Sequence, residues 1–128
     1  MLRVAVTLSL ASYIGCSKPA KPGTETQEST EIDPGIGEQV FQMRCFVCHG
    51  RSGKGDGPSA QGLGARVRDL TEPNWQNSMS DKSIAQVIRS GAKAVGGSAA
   101  MPPNPDLSDV QVQSLTKYIR GLREKRLR

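Results

Sequence analysis

Cys45-Phe46-Val47-Cys48-His49 is the stretch on which the reading of this chain turns. In a Cys-x-x-Cys-His run, two thiols can form thioethers to the two vinyl groups of one porphyrin. The histidine that follows reaches the iron from the proximal side. The chain has one such run and one histidine in total, so it can hold one haem in this way with no rival proximal ligand. The same residues could also be read as half of a zinc site or as a dithiol redox motif. A structural zinc needs four ligands, and Cys16 is the sole further thiol. Adjacent Cys48 and His49 would also sit poorly at two corners of one tetrahedron. A thioredoxin-type site needs a βαβ setting, and no apolar run here reads as a buried parallel strand.

Composition agrees with a core that includes a cofactor. With 128 residues the chain is one domain plus tails; 36% of them are hydrophobic and 4% aromatic, a thin supply for a core built from side chains. A large apolar ring relieves that shortage. The formal charge of +5 precedes any haem, and ionised propionates bring it toward neutral. Nothing in the sequence resembles a nucleic-acid-binding module.

The N-terminus reads as an export signal over residues 1–15. Arg3 gives a positive start, and Val4 to Ile14 is an apolar stretch of signal-peptide length, too short to span a bilayer. Tyr13-Ile14-Gly15-Cys16 resembles the lipobox of bacterial lipoproteins, departing from it at Tyr13, where leucine is usual. Cys16 is thus expected to carry a lipid, with an ordinary cleaved signal peptide as the alternative. Either reading puts the mature domain outside the cytoplasm, on the periplasmic side of a bacterial membrane. Residues 17–32, rich in Pro, Lys, Thr and Glu, read as a disordered tether that would reach roughly 50 Å when extended and about 20–25 Å on average.

The folded part is expected from Asp33 onward, over residues 33–128. Asp33 suits an N-cap and Pro34 a first helical turn. Ile36, Val40, Phe41 and Val47 follow at near-helical spacing, with Gly37 and Phe41 as a small-then-aromatic pair. Gly50 to Gly64 is a glycine-rich loop; Gly55 follows Lys54 where a phosphate loop needs Ser or Thr, and no strand precedes it, so phosphate binding by this loop is rejected. Arg66 to Trp75 reads as a polar segment. Ser80 caps a short helix with Ile84, Val87 and Ile88 on one face and Gly91 at its end. Ser108 and Gln111 form a capping box for a last helix bearing Val112, Leu115, Ile119 and Leu122, with Tyr118 beside them. The predicted fold class is all-α.

In this order of motifs the chain resembles the class I cytochrome c family, in particular its bacterial single-haem members. The matching residues are the CxxCHG run Cys45 to Gly50, the Gly-Asp-Gly-Pro loop Gly55 to Pro58, the middle helix, Met101-Pro102, and Tyr118-Ile119-Arg120. The resemblance covers about residues 34 to 124. It implies a small helical domain wrapped around one covalently attached haem c that carries single electrons, and a glycine at position 37 that lets the last helix cross closely. It also implies that Met101, in a loop stiffened by Pro102 and Pro103, ligates the iron opposite His49. Met79, just before a helix cap, is the second candidate. Met43 sits on the proximal helix and cannot easily reach the far face. Pro58 resembles the family's proline near the proximal histidine, where a backbone carbonyl can orient the ring nitrogen not bound to iron. Arg66, Arg68 and Trp75 are candidate donors to the haem propionates, Trp75 foremost as the sole indole.

A thioether on iron raises the potential and closes the site where a diatomic would bind. The expected function is therefore an exported, lipid-anchored single-electron carrier between redox proteins, with no small-molecule substrate and no nucleic acid. Arg44, Arg51, Lys54 and Lys93 are candidates to steer an acidic partner, against the alternative of a scattered solvated basic surface. A haem-based ligand sensor would need an open sixth position. An enzyme such as a di-haem peroxidase would need a second CxxCH and a catalytic histidine, which the chain lacks, so it is not expected to be an enzyme. A fixed haem subunit of a larger respiratory or dehydrogenase complex satisfies the same residues as a free shuttle.

Overall fold

The computed structural model of the chain describes residues 32–126. The expected signal segment, the Cys16 anchor and nearly all of the tether lie outside the described residues. Within them the regular structure is helical, with no strand.

The chain enters α1 (Pro34–Val40) through Asp33, whose carboxylate accepts from the Gly35 amide at 2.8 Å, with Pro34 in the first turn. The helix then runs through a π-helical turn (Phe41–Cys45) into α2 (Phe46–His49). The sequence pattern gave no sign of the π turn, and it has a consequence. Val40 and Phe41 are buried as expected, but Val47 is 38% exposed. The wider turn swings the residues after Phe41 off the face that α1 buries.

α2 ends at Gly50, where φ is +74°, a value that favours glycine. The loop that follows folds back and satisfies the carbonyls a helix end leaves open. Gly50 donates to Phe46 (2.8 Å), Ser59 to Val47 (2.8 Å), Gly57 to Cys48 (3.1 Å) and Gly55 to His49 (2.8 Å). The glycine run is thus the C-terminal cap of the helix that carries Cys45, Cys48 and His49.

α3 (Pro73–Ser78) falls in the region read as a polar segment ending at Trp75. Glu72 caps it, accepting from the amides of Asn74 at 3.0 Å and Trp75 at 2.7 Å, and Pro73 opens the first turn. With six residues and one large apolar side chain, it has too little periodicity to be seen in the sequence. α4 (Asp81–Ser90) and α5 (Asp109–Arg126) form where their caps predict. Ser80 accepts from the Ser83 amide at 3.1 Å, and Ser108 and Gln111 exchange both bonds of the capping box at 2.9 and 3.3 Å.

α1 crosses α5 at Gly37, where an added Cβ would lie 2.1 Å from the Ser114 carbonyl oxygen. That approach seats Phe41, fully buried, 5.2 Å from the Tyr118 ring. Val112, Leu115, Ile119 and Leu122 of α5 share this core with Leu70, Ile84, Ile88 and Leu107. The far end of α5 is tied down by Arg120. Its guanidinium bonds the Gln76 carbonyl at 2.5 Å, Asp81 at 2.7 Å and the Met79 carbonyl. Gln76 is itself buried, donating to Leu70 at 2.7 Å and Ile119 at 2.8 Å. Arg120 thus joins α3, α4 and α5.

Candidate haem-attachment site

Cys45 closes the π turn, and Cys48 and His49 end α2, so the three residues share one continuous helical rod. Both cysteines are free thiols and half-buried. Burial pushes the Cys45 thiol up to about 11, with a smaller opposing pull from Arg44. No group of three His, Cys, Asp or Glu side chains gathers as a metal cage among the described residues.

The His49 Nδ1 lies 3.1 Å from the Arg68 carbonyl. Burial lowers the imidazole's pKa, and the carbonyl bond opposes this less strongly. The ring is therefore held neutral. With its proton on Nδ1 and donated to Arg68, the lone pair stands on Nε2, the arrangement of a metal-ligating histidine with its outer bond made. Two cysteines one helical turn apart and an oriented imidazole with one free nitrogen fit a covalently bound haem.

The other candidates lie as follows. The structure draws the orienting carbonyl from Arg68, a residue predicted for its guanidinium, which is exposed. A main-chain oxygen carries no residue signature, so the sequence could not single it out. Pro58 is exposed, and its neighbours Gly57 and Ser59 bond to the Cys48 and Val47 carbonyls, which holds it against the end of α2. Arg66 is exposed, and Trp75 is half-buried against the core. Arg44 forms an ion pair with Asp106 at 2.6 Å, so its charge is compensated locally rather than held free for a partner.

Met101 is half-buried in a loop fixed to the end of α4. Its carbonyl accepts from the Ala92 amide at 3.2 Å, and a Cβ on Gly91, where φ is +76°, would lie 2.9 Å from that same oxygen. Asn104 completes the anchor: its amide donates to Ile88 at 3.2 Å and to Arg89 at 3.1 Å, and its side chain donates to Ile88 at 3.0 Å. Met101 borders a hollow of about 580 Å³ shared with Gly91, Lys93, Ala99 and Pro102. Met79 packs against the hydrophobic core, and Met43 is 72% exposed.

The family model described as cytochrome C oxidase, cbb3-type, subunit III matches residues 33–119. Among curated relatives, the cbb3-type cytochrome c oxidase subunit FixP of Azorhizobium caulinodans is 30% identical over 89% of this chain and 33% of its own length. Cytochrome c oxidase subunit 2 of Alkalihalophilus pseudofirmus is 31% identical over 77% of this chain and 28% of its own. The chain thus spans about a third of the length of the curated relatives it matches. Among solved structures, the c-type cytochrome KustC0563 superposes with a TM-score of 0.55 at 28% identity, over 67% of this chain and 95% of that one. Its all-α fold, its haem motif and these matches lead to one conclusion: the chain belongs to the cytochrome c family, and its domain is an electron carrier with covalently bound haem c as its cofactor.

Proposed function

We propose that this domain is a single-electron shuttle with closed His49/Met101 axial ligation, working outside the cytoplasm between larger redox proteins. Cys45 and Cys48 would carry the thioethers to the haem, and His49 and Met101 would hold its iron. When bound, the haem supplies a one-electron ferric/ferrous couple. The protein's part is to keep the ligand set unchanged between the two oxidation states. Arg68 holds the His49 ring in one orientation, and the glycine loop caps the helix beneath it. Asn104, Gly91 and Ala92 fix the loop that presents Met101, so little reorganisation accompanies electron exchange. Arg66 and Trp75 are proposed to meet the propionates, and Pro58 to support the proximal side.

The observation that carries this reading is the oriented, neutral imidazole of His49 on the helix that bears both cysteines. It is tested by replacing each candidate sulfur in turn. Met101→Ala should turn the low-spin haem high-spin and let the reduced protein bind carbon monoxide, whereas Met79→Ala should leave ligation intact. The opposite pattern would transfer the distal role to Met79. Carbon monoxide binding by the unmodified protein would favour the ligand-sensing alternative.

We further propose that Cys16 is acylated and tethers the domain to the periplasmic side of a bacterial membrane. No helix among the described residues is long and apolar enough to cross a membrane. A second reading, a fixed haem subunit of a respiratory complex, is favoured by the oxidase-subunit descriptions of the two curated relatives. Co-purification of stoichiometric partner subunits in mild detergent would support it over a free shuttle.

A further inference from the structure

Between α1, the loop after the haem motif and α5 lies a second concavity, a cleft of about 420 Å³ that the electron-transfer reading does not use. Its polar lining is Glu38, Arg51, Ser52, Lys54, Thr71, Tyr118 and Lys125. Three of these side chains are cations and one is a carboxylate, so the lining carries an excess of two positive charges.

The cations are arranged differently from a solvated basic face. Arg51 is held rather than free to wander: its guanidinium stacks 4.8 Å from the Phe46 ring and donates to the Gln42 side chain at 3.2 Å. Gln42 in turn donates to the Arg51 carbonyl at 3.1 Å and to the Tyr118 hydroxyl at 3.3 Å. Neither Arg51 nor Lys54 forms an ion pair with a carboxylate among the described residues. Lys125 stands over the Tyr118 ring at 5.0 Å and meets Glu38 at a loose 3.8 Å, which leaves donors of its ammonium free. Elsewhere in the chain Arg44, Arg89 and Arg120 each have a close carboxylate partner. The cleft gathers three cations against one carboxylate, with Arg51 pre-oriented and Lys125 only loosely paired to Glu38.

The Gly50–Gly64 loop lacks the backbone pattern of a phosphate loop, but the cleft adds side chains of α1 and α5 to it; we infer that this cleft binds a phosphate-type oxyanion, seated between Arg51, Lys54 and Lys125 with the Ser52 hydroxyl as a neutral donor. A multiply charged tetrahedral anion matches several converging N–H donors, and a planar guanidinium already fixed in place loses little freedom on binding it. Free phosphate and a phospholipid headgroup share this chemistry. Bound there, the anion would bridge α5 to the loop that caps the haem-motif helix and would stabilise the α1–α5 crossing.

The test uses the full-length holoprotein, titrated calorimetrically with inorganic phosphate against sodium chloride at matched ionic strength, with thermal melting in both salts. Saturable phosphate binding and a rise in melting temperature beyond that given by chloride are expected. Lys54→Gln and Lys125→Gln, both at exposed positions, should each weaken phosphate binding by about tenfold, the scale of one lost charged contact, with an unchanged haem spectrum. Vesicles of phosphatidylcholine with and without phosphatidic acid separate the sources. A preference for phosphatidic acid that Lys54→Gln abolishes points to a headgroup, and phosphate binding without that preference points to the free ion. Equal heats and melting shifts in phosphate and chloride, or wild-type phosphate affinity in both variants, would overturn the inference.

Discussion

Gly37 shows how one missing side chain sets the geometry of the site. An added Cβ would sit 2.1 Å from backbone rather than from a flexible side-chain end, so the clash can be relieved only by moving one helix. Gly37→Ala should cost about 1–3 kcal/mol, the range for overpacking a filled core, and lower the melting temperature by several degrees in circular dichroism. Arg120 is its counterpart at the other end of α5. Arg120→Ala would leave the Gln76 and Met79 carbonyls without their charged donor, for a loss of about 2–3 kcal/mol in denaturant unfolding. The first of these residues was legible through the resemblance to the cytochrome c family, which implies a glycine at position 37 that lets the last helix cross closely. The second was not. Several basic residues crowd the end of α5, and nothing in their order says that Arg120 is the one that reaches the Gln76 and Met79 carbonyls. His49 divides the same way: its proposed role is suggested by Cys-x-x-Cys-His, but the Arg68 carbonyl that orients it has no spelling in the sequence.

The elements foreseen from their caps are those whose caps formed. Ser80 and the Ser108/Gln111 box stand where the helix ends were expected, because short polar side chains have a specific use at those positions. α3 escaped because its cap is a glutamate, which more often reads as surface, and because its six residues hold too little apolar pattern. The π turn escaped because one wider turn leaves the spacing around it almost unchanged. The loop that carries Met101 is the element on which the proposed distal ligation depends, and Asn104 fastens it. Asn104→Ala removes the 3.0 Å bond to the Ile88 carbonyl. It should make the sulfur-to-iron absorption band of the oxidised protein fade at a lower temperature than in the wild type. Asp106, just beyond that loop, is held below its ordinary 3.8 by hydrogen bonding and charge from Arg44. A depressed carboxylate pKa means the stabilisation is complete above the unfolded value and is lost as pH falls through the folded one. The difference in melting temperature between wild type and Asp106→Asn should therefore be level above about pH 5 and shrink under stronger acid.

At the scale of the whole molecule, a chain with few large apolar residues folds around helices that meet at one tight crossing, with the attachment motif at the end of the first. The all-α class and the order of motifs were readable because each carries a local signature; the tertiary ties were not, because they join residues far apart in the chain. If the haem is linked through both cysteines, acidified organic solvent should fail to extract it, and release of free haem would contradict covalent attachment. If Cys16 anchors the domain, Cys16→Ser should move the haem protein from the membrane fraction to the soluble one, and unchanged retention would remove the anchor.

The optical spectrum of the matured protein, oxidised, reduced and reduced under carbon monoxide, tests the central claim most directly. The account predicts a low-spin spectrum, a weak sulfur-to-iron band when oxidised, and no response to carbon monoxide. A high-spin spectrum that shifts on adding carbon monoxide would contradict closed His49/Met101 ligation and the electron-shuttle reading built on it.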